Sequence, residues 1–140
     1  MGAFGKNELD LMLKREFAPW IQALNIELGD LTNTGMHFVL PKNADLVRSG
    51  DVLCGQAIAA VADTVSVLAL FAHNDPPRPL TTVDMNVQFL RPMFLGDMAV
   101  EAIIQSNGKR MANVRCAFRA VEGKGAGKLC ASAACTFTYI

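Results

Sequence analysis

Asp63 is the residue of this chain whose position most strongly indicates chemistry. It is the only charged residue in the otherwise apolar stretch Val52–Ala72. A carboxylate in an apolar helix is costly unless it is paired or faces a cavity, where it can act as a general base or nucleophile. Gln56 lies seven residues earlier, nearly two helical turns, so both side chains are predicted on one face. The sequence leaves a second interpretation open, in which Asp63 caps a neighbouring backbone or pairs with an arginine.

Gly55 stands at the start of the same predicted helix. The first N–H groups of a helix have no intrahelical partner and lie at its positive end, so they can hold a developing oxyanion. A glycine at this place lets a substrate carbonyl approach closely. Its alternative role is to relieve a tight turn from the loop into the helix. The preceding Cys54 has no histidine near it in sequence, and we predict that it acts only as a small residue.

Other catalytic and cofactor-binding patterns are missing from the sequence. No serine lies in a Gly-x-Ser-x-Gly pattern with patterned His and Asp partners. The run Gly123–Gly127 lacks the spacing of a dinucleotide-binding or phosphate-binding loop, and His37 and His73 are expected to be structural. The cysteines form no CxxC pair and no grouping with histidine, so we expect no metal site. They are Cys54, Cys116, Cys130 and Cys135.

Hydrophobic periodicity predicts the first elements that must position these residues. Apolar residues at three- and four-residue steps indicate a first helix with Asn7 as its N-cap. Pro19 should end or kink this helix near Phe17–Ala18. Asn25–Leu40 alternates in two pieces around 33–35, which is typical of a hairpin or a bulged strand. The long apolar helix is predicted over about Cys54–Phe71.

The last sixty or so residues change from the helical period to the alternation of strands. Alternation predicts strands over Val83–Phe89, Met98–Gln105 and Ala112–Ala120, with a last strand over Lys128–Tyr139. We therefore expect three or four strands in a meander, within an α+β fold in which an antiparallel sheet wraps around one apolar helix. The other face of such a sheet needs cover, so the pattern also predicts at least a dimer.

Length and composition limit the class of protein. The 140 residues suffice for one domain over 1–140, and a 51% hydrophobic content excludes a disordered chain. Thirteen basic residues balance thirteen acidic ones, so no nucleic-acid partner is expected. Val52–Ala72 is long enough to span a membrane, but Asp63 near its middle favours a buried helix and no membrane partner. Met1–Asp10 shows no secretory leader, and the unpaired cysteines are typical of a cytoplasmic protein.

Two segments of the sequence resemble a known family. They are Gly55-Gln-Ala-Ile-Ala-Ala-Val-Ala-Asp63-Thr and Thr82-Val-Asp-Met-Asn86-Val-Gln-Phe-Leu-Arg-Pro92. In order and spacing, together with Gly108-Lys109 and Gly127-Lys128-Leu129, they are similar to the hotdog-fold acyl-CoA thioesterases. The subgroup they resemble most is the phenylacetate-degradation (PaaI-type) enzymes. The similarity extends from about Trp20 to Phe137.

The resemblance implies a hotdog fold, in which a long central helix is wrapped by a curved antiparallel sheet, in a homodimer or a dimer of dimers. It implies active sites between subunits that hydrolyse acyl-CoA thioesters without a cofactor, CoA being part of the substrate. By the same resemblance, Asp63 is the general base or nucleophile, and the backbone amide of Gly55 polarises the thioester carbonyl. Thr82 corresponds to the family's hydroxyl residue near the attacking water. Gln56, on the face of Asp63, is expected to touch the acid, the water or the thioester.

Three positions depart from the pattern of that family. Cys54 stands where the family has histidine, Gln56 replaces its second glycine, and Arg48 lies near the place of its asparagine. These differences keep two other functions open. One is a non-catalytic hotdog protein that binds acyl-CoA or another acyl ligand, because a fold does not by itself establish an activity. The other is a hotdog hydratase or dehydratase, which is disfavoured because such enzymes pair an acid with a histidine that this helix start lacks.

Overall fold

A computed structural model describes residues 5–140. A six-stranded antiparallel sheet curves around one long helix, which confirms the predicted α+β, hotdog-fold architecture. The helices are α1 (Lys6–Glu16), α2 (Pro19–Gln22) and α3 (Gly55–His73), with a 3-10 turn at Ala44–Leu46. The strands are β1 (Glu27–Leu31), β2 (Gly35–Leu40), β3 (Val47–Arg48), β4 (Val52–Leu53), β5 (Leu80–Phe89), β6 (Met98–Asn107), β7 (Met111–Ala120) and β8 (Leu129–Tyr139).

The strands of the large sheet follow the order β1-β2-β6-β7-β8-β5, and neighbouring strands are antiparallel. β6, β7 and β8 form a meander, as predicted. β5 pairs with β8, with Leu80 opposite Tyr139, and not with the next strand in the chain. The meander therefore has three strands and not four. Alternation of apolar residues indicates which face of a strand is covered, but it carries no information about the neighbouring strand.

The first helix differs from its prediction at one end. α1 begins at Lys6 after an extended Gly5, and no side chain caps it, so the prediction of Asn7 as the N-cap is wrong. The reason is that the N–H of Leu9 already bonds the Gly5 carbonyl at 3.1 Å, which places Asn7 inside the first turn. The predicted stop is confirmed: α1 ends at Glu16, and Pro19 opens α2, where its missing N–H is tolerated.

α3 is the core of the fold, and thirteen of its 19 residues are buried. By length and composition it could cross a membrane, with a mean hydropathy of 1.6, but 72% of that window is buried inside the protein. Its buried hydroxyls bond back to carbonyls one turn earlier: Thr64 to Ala60 at 2.8 Å and Ser66 to Ala62 at 2.7 Å. Gln56 is exposed and Asp63 is partly buried. The polar residues of α3 are therefore either satisfied internally or on its open side.

β5 differs from the other long strands because it lies at an edge and most of its residues are exposed. Its predicted apolar alternation is present, but Val83, Met85 and Phe89 are 54%, 38% and 56% exposed. Before α3, the chain forms the 3-10 turn and the short pair β3–β4, which brings Arg48 near the start of α3.

Candidate active site

Asp63 lies in the middle of α3, and its carboxylate is held by β5. The Thr82 hydroxyl donates a hydrogen bond of 2.8 Å to Asp63 Oδ1. Among residues 5–140, no arginine or lysine pairs with this carboxylate, and it caps no backbone N–H. The structural interpretation left open by the sequence therefore has no support among the described residues. One carboxylate oxygen is anchored, and Oδ2 is available to water or a ligand.

Gly55 is the first residue of α3, with Cys54 as the N-cap. The Cys54 side chain makes no capping bond, and its N–H donates to the Leu46 carbonyl at 2.9 Å. Helix geometry leaves the N–H groups of Gly55 and Gln56 without intrahelical acceptors, at the positive end of the dipole. A Cβ on Gly55 would lie 3.3 Å from the Phe89 ring. The glycine therefore keeps the space between the helix start and β5 open.

A cavity of about 350 Å³ adjoins this end of the helix, and we call it the helix-start cavity. Its lining includes Arg48, Gly55, Ile58, Phe89, Arg91 and Pro92. Arg48 donates to the Ser49 carbonyl at 3.0 Å, and neither Arg48 nor Arg91 forms an ion pair with a carboxylate of the described chain. Two guanidinium groups and a helix N-terminus make this cavity electropositive, which suits an anionic or partly negative ligand group.

A second cavity, of about 380 Å³, is lined by Thr82, the residue that bonds Asp63, and we call it the acid-side cavity. Its lining includes Glu16, Phe17, Val67, Phe71, Leu80 and Thr82. Thr82 is therefore both a wall of this cavity and the hydrogen-bond donor to Asp63. The cavity lies between the end of α1, the second half of α3 and the start of β5.

The predicted site residues fall into two groups within one chain. Asp63 and Thr82 are in contact, whereas Gly55 lies eight residues from Asp63 on α3. At 1.5 Å per residue, this separates the two by about 12 Å along the helix axis. Gln56 is exposed and makes no hydrogen bond to Asp63 within the chain. Its predicted contact with water or thioester stays a prediction.

Cys116 is buried beneath α3 and does not supply a nucleophile. Cys116 Sγ is 3.1 Å from the Ser66 hydroxyl and 3.6 Å from the Ala62 carbonyl. The pKa of the Cys116 thiol is raised well above its ordinary value, mainly by a hydrogen bond with Cys135 and secondly by burial. Because the thiolate is the reactive form, this thiol is inert at neutral pH. In the part of the chain that the structure describes, no three His, Cys, Asp or Glu side chains cluster to hold a metal ion.

Sequence reasoning missed several residues that shape the two cavities. Phe89 and Arg91 lie in the segment that carries the family resemblance, but their types alone gave them no role. Phe17, Val67 and Phe71 follow the helical periodicity of core residues, and the periodicity does not distinguish a core position from a cavity wall. These roles depend on where β5 passes along α3, which only the fold shows.

Comparisons with known proteins agree with this architecture. The family model described as the thioesterase superfamily matches residues 50–126. A protein of Thermoplasma acidophilum named as a putative esterase is 27% identical over 127 residues, which cover 89% of this chain and 92% of that protein. Another named in the same way, from Saccharolobus solfataricus, is 26% identical over 104 residues, or 74% of this chain and 70% of the relative.

Solved structures show the same fold at low sequence identity. A thioesterase of Haemophilus influenzae has a TM-score of 0.80 and 20% identity, with 94% of this chain and 90% of that chain covered. A thioesterase family protein of Silicibacter pomeroyi has a TM-score of 0.81 and 18% identity, with 94% and 98% covered. Because the family model spans more than half of the sequence, the chain belongs to the thioesterase superfamily and is a hydrolase of esters or thioesters.

Proposed function

We propose that the protein hydrolyses an acyl-CoA thioester to the free acid and CoA, with Asp63 activating water at a subunit interface. The observation that carries this proposal is the half-buried Asp63 carboxylate on an apolar helix, held through one oxygen by Thr82 at 2.8 Å. A carboxylate that has no ion-pair partner among residues 5–140 and keeps one oxygen free is suited to general-base catalysis, and no cofactor enters the proposal.

The reaction follows from these groups. Asp63 accepts a proton from water as the water oxygen attacks the thioester carbonyl carbon. The negative charge that develops on the carbonyl oxygen is held by the N–H of Gly55 at the start of α3. The carbonyl then re-forms as the carbon–sulfur bond breaks, and the leaving thiolate of CoA takes up the proton that Asp63 accepted, which restores the carboxylate. Thr82 keeps the carboxylate in one orientation throughout.

Two subunits are needed in this proposal because one chain holds the acid and the helix-start amide too far apart. The separation of about 12 Å along α3 prevents both groups from reaching one carbonyl. A second copy packed on the open side of α3 can place its Gly55 beside the Asp63 of the first. The exposed apolar side chains of the edge strand β5, Val83, Met85 and Phe89, support such packing, as a homodimer or a dimer of dimers.

The CoA part of the substrate is assigned to the helix-start cavity. Arg48 and Arg91 place two positive charges on its lining. The phosphates of CoA are anions that guanidinium groups bind well. In this proposal Arg48 therefore does not take over the role of the family's asparagine. It contributes a positive charge that binds the phosphates of CoA.

Subunit complementation tests both the acid and the interface. Asp63→Asn and Gly55→Val are each expected to have little thioesterase activity, measured as CoA thiol released from a panel of acyl-CoAs. When the two variants are coexpressed, one of the two sites in each mixed dimer contains both an intact Asp63 and an intact Gly55. Random pairing then restores about a quarter of the wild-type sites. Wild type and Asp30→Asn, an exposed acid on β1, serve as controls.

The outcomes separate the candidates. Regained activity in the mixture supports a site shared by two subunits. Two inactive parents whose mixed dimers stay inactive contradict the shared site. A wild-type protein that binds acyl-CoA without releasing thiol contradicts hydrolysis and supports the non-catalytic binding protein instead.

A further inference from the structure

The hydrogen bond between Thr82 and Asp63 joins β5 to α3, and residues 74–79 connect these two elements along the chain. Its length is 2.8 Å, so a displacement of about 0.8 Å would be enough to break it. Whether the carboxylate of Asp63 is held therefore depends on how accurately the start of β5 is placed against α3.

A β-bulge lies directly after Thr82. The register of β5 with β8 shifts between Thr82 and Asp84, and Val83 is the extra residue. Leu80 and Val87 both pack against the core, although residues seven apart lie on opposite faces of a regular strand. A bulge interrupts the ladder and bends its strand. The short segment 80–82 is therefore separated from the rest of β5 and needs a support of its own.

Four residues beside this segment support it, and we call them the Tyr139 network: Asn74, Arg78, Asn107 and Tyr139. Asn74 Nδ2 donates to the Tyr139 hydroxyl at 2.9 Å, and this hydroxyl donates to Asn107 Oδ1 at 2.5 Å. Asn107 Nδ2 donates back to Asn74 Oδ1 at 2.9 Å, which closes a ring of hydrogen bonds. Asn74 is the C-cap of α3, and Tyr139 lies opposite Leu80. The ring therefore ties the end of α3 to the start of β5.

Arg78 fixes the connection between the two elements. Its guanidinium lies 3.5 Å from the centroid of the Tyr139 ring. Its N–H groups donate to two carbonyls of the turn between β6 and β7, Gly108 at 3.0 Å and Lys109. A planar guanidinium that stacks on a ring and donates from two nitrogens is held in one orientation. The chain is thus anchored immediately before the segment that carries Thr82.

We propose that Tyr139 is a positioning residue of the active site. Its network holds segment 80–82 against α3, so that Thr82 keeps its bond to Asp63 although the bulge separates this segment from the rest of the strand. Tyr139 lies two residues along β8 from Phe137, the partner of Thr82, which is about 7 Å. It therefore acts through Thr82, and its effect on the rate rests on the proposed thioesterase function.

The first experiment measures the placement of the segment without using activity. Backbone amide hydrogen exchange, read residue by residue by NMR, is compared between the wild type and Tyr139→Phe. This variant keeps the ring beneath Arg78 and removes only the hydroxyl. We expect faster exchange in residues 80–82 and unchanged exchange in residues 85–89, because a segment that loses its support opens locally more often. No increase in 80–82, or an equal increase throughout β5, contradicts the inference.

The second experiment measures kcat under saturating acyl-CoA in Tyr139→Phe, in Thr82→Val and in the double variant. We expect Tyr139→Phe to lower kcat by about 5-fold, below the ~10²-fold that a 1 Å misplacement can cost, with KM close to that of wild type. In the Thr82→Val background the same substitution should lower kcat no further, because the bond that it disturbs is already absent. An equal loss in both backgrounds shows that Tyr139 only stabilises the fold, and it contradicts the positioning role.

Ser132→Ala is the matched control. Ser132 lies on the same strand and accepts a hydrogen bond from Arg115 at 3.2 Å, but it lies opposite Gln88, beyond the bulge. Its loss should leave both kcat and the exchange of residues 80–82 unchanged, and an effect as large as that of Tyr139→Phe contradicts the inference. If Tyr139→Phe does not fold, Arg78→Lys weakens the same network, because lysine lacks the fork that reaches both carbonyls. It should change exchange and kcat in the same direction.

The outcomes separate this inference from the proposed function. A wild-type protein that releases no thiol from any acyl-CoA contradicts the function, and the exchange data then decide by themselves whether the Tyr139 network places segment 80–82. An active wild type together with a folded Tyr139→Phe protein of unchanged kcat and unchanged exchange overturns the role of Tyr139 alone.

Discussion

The start and the middle of α3 carry opposite chemistry. At the start, an unpaired backbone N–H and two arginines adjoin a cavity whose described lining contains no acid. In the middle, Asp63 and Thr82 form a hydrogen-bonded pair beside a cavity whose described lining contains no cation. One region can hold negative charge and the other can take a proton. Thioester hydrolysis needs both, so the comparison explains why a single chain is half of each site in the proposed mechanism.

The substitution with the largest expected effect removes the base from the middle of α3. Asp63→Asn keeps the volume of the side chain and its acceptor for Thr82, but it cannot accept the proton of water. We expect kcat to fall by about 10²–10⁴-fold, the usual contribution of a general base. Thiol release under saturating acyl-CoA measures the loss, with circular dichroism to verify the fold. A folded Asp63→Asn protein with wild-type kcat would show that the acid is structural and that the middle of α3 does not accept a proton during catalysis.

At the helix start, the next substitution crowds the donor without changing any charge. Gly55→Val places a branched side chain where even a Cβ would be 3.3 Å from the Phe89 ring. The N–H remains, so we expect a loss in kcat/KM below the 10²–10³-fold cost of deleting an oxyanion donor. Combining Gly55→Val with Phe89→Ala should recover part of the rate because it restores the space. A single variant as active as the wild type would show that no carbonyl approaches this end of the helix.

In both regions the sequence predicts the reactive groups better than the cavities beside them. Asp63 could be identified because a single charge in an apolar helix is conspicuous, and Gly55 because helix starts have fixed chemistry. The long helix and the strands followed from periodicity, since burial repeats at 3.6 residues in helices and 2 in strands. The pairing of β5 with β8 could not be derived, because it is a long-range contact with no local pattern. Both cavities depend on that pairing, so Phe89 and Val67 had no predicted role.

Arg48 and Arg91 allow the proposed role of the helix-start cavity in coenzyme binding to be tested. In Arg48→Gln/Arg91→Gln, the helix-start cavity loses both positive charges that line it. We expect KM for acyl-CoA to rise while kcat stays close to that of wild type, because the guanidinium groups bind phosphate and do not move a proton. The matched substrate is the same acyl group on N-acetylcysteamine, which lacks the phosphates. Its KM should not change in the double variant, and an equal rise for both substrates would show that the arginines act on another part of the substrate.

The smallest effect is expected from substitution of Cys54, which tests whether a side chain at the helix start takes part in the chemistry. The residue is half-buried at the N-cap, but its side chain makes no capping bond. Its contribution to the structure is the backbone N–H that donates to the Leu46 carbonyl, which alanine retains. Cys54→Ala should therefore keep nearly all of the wild-type kcat/KM, and a thiol-blocking reagent should slow the wild type only through steric crowding beside Gly55. If Cys54→Ala is inactive and the reagent abolishes turnover, the nucleophile is this cysteine, and the proton chemistry lies at the start of α3 instead of at Asp63.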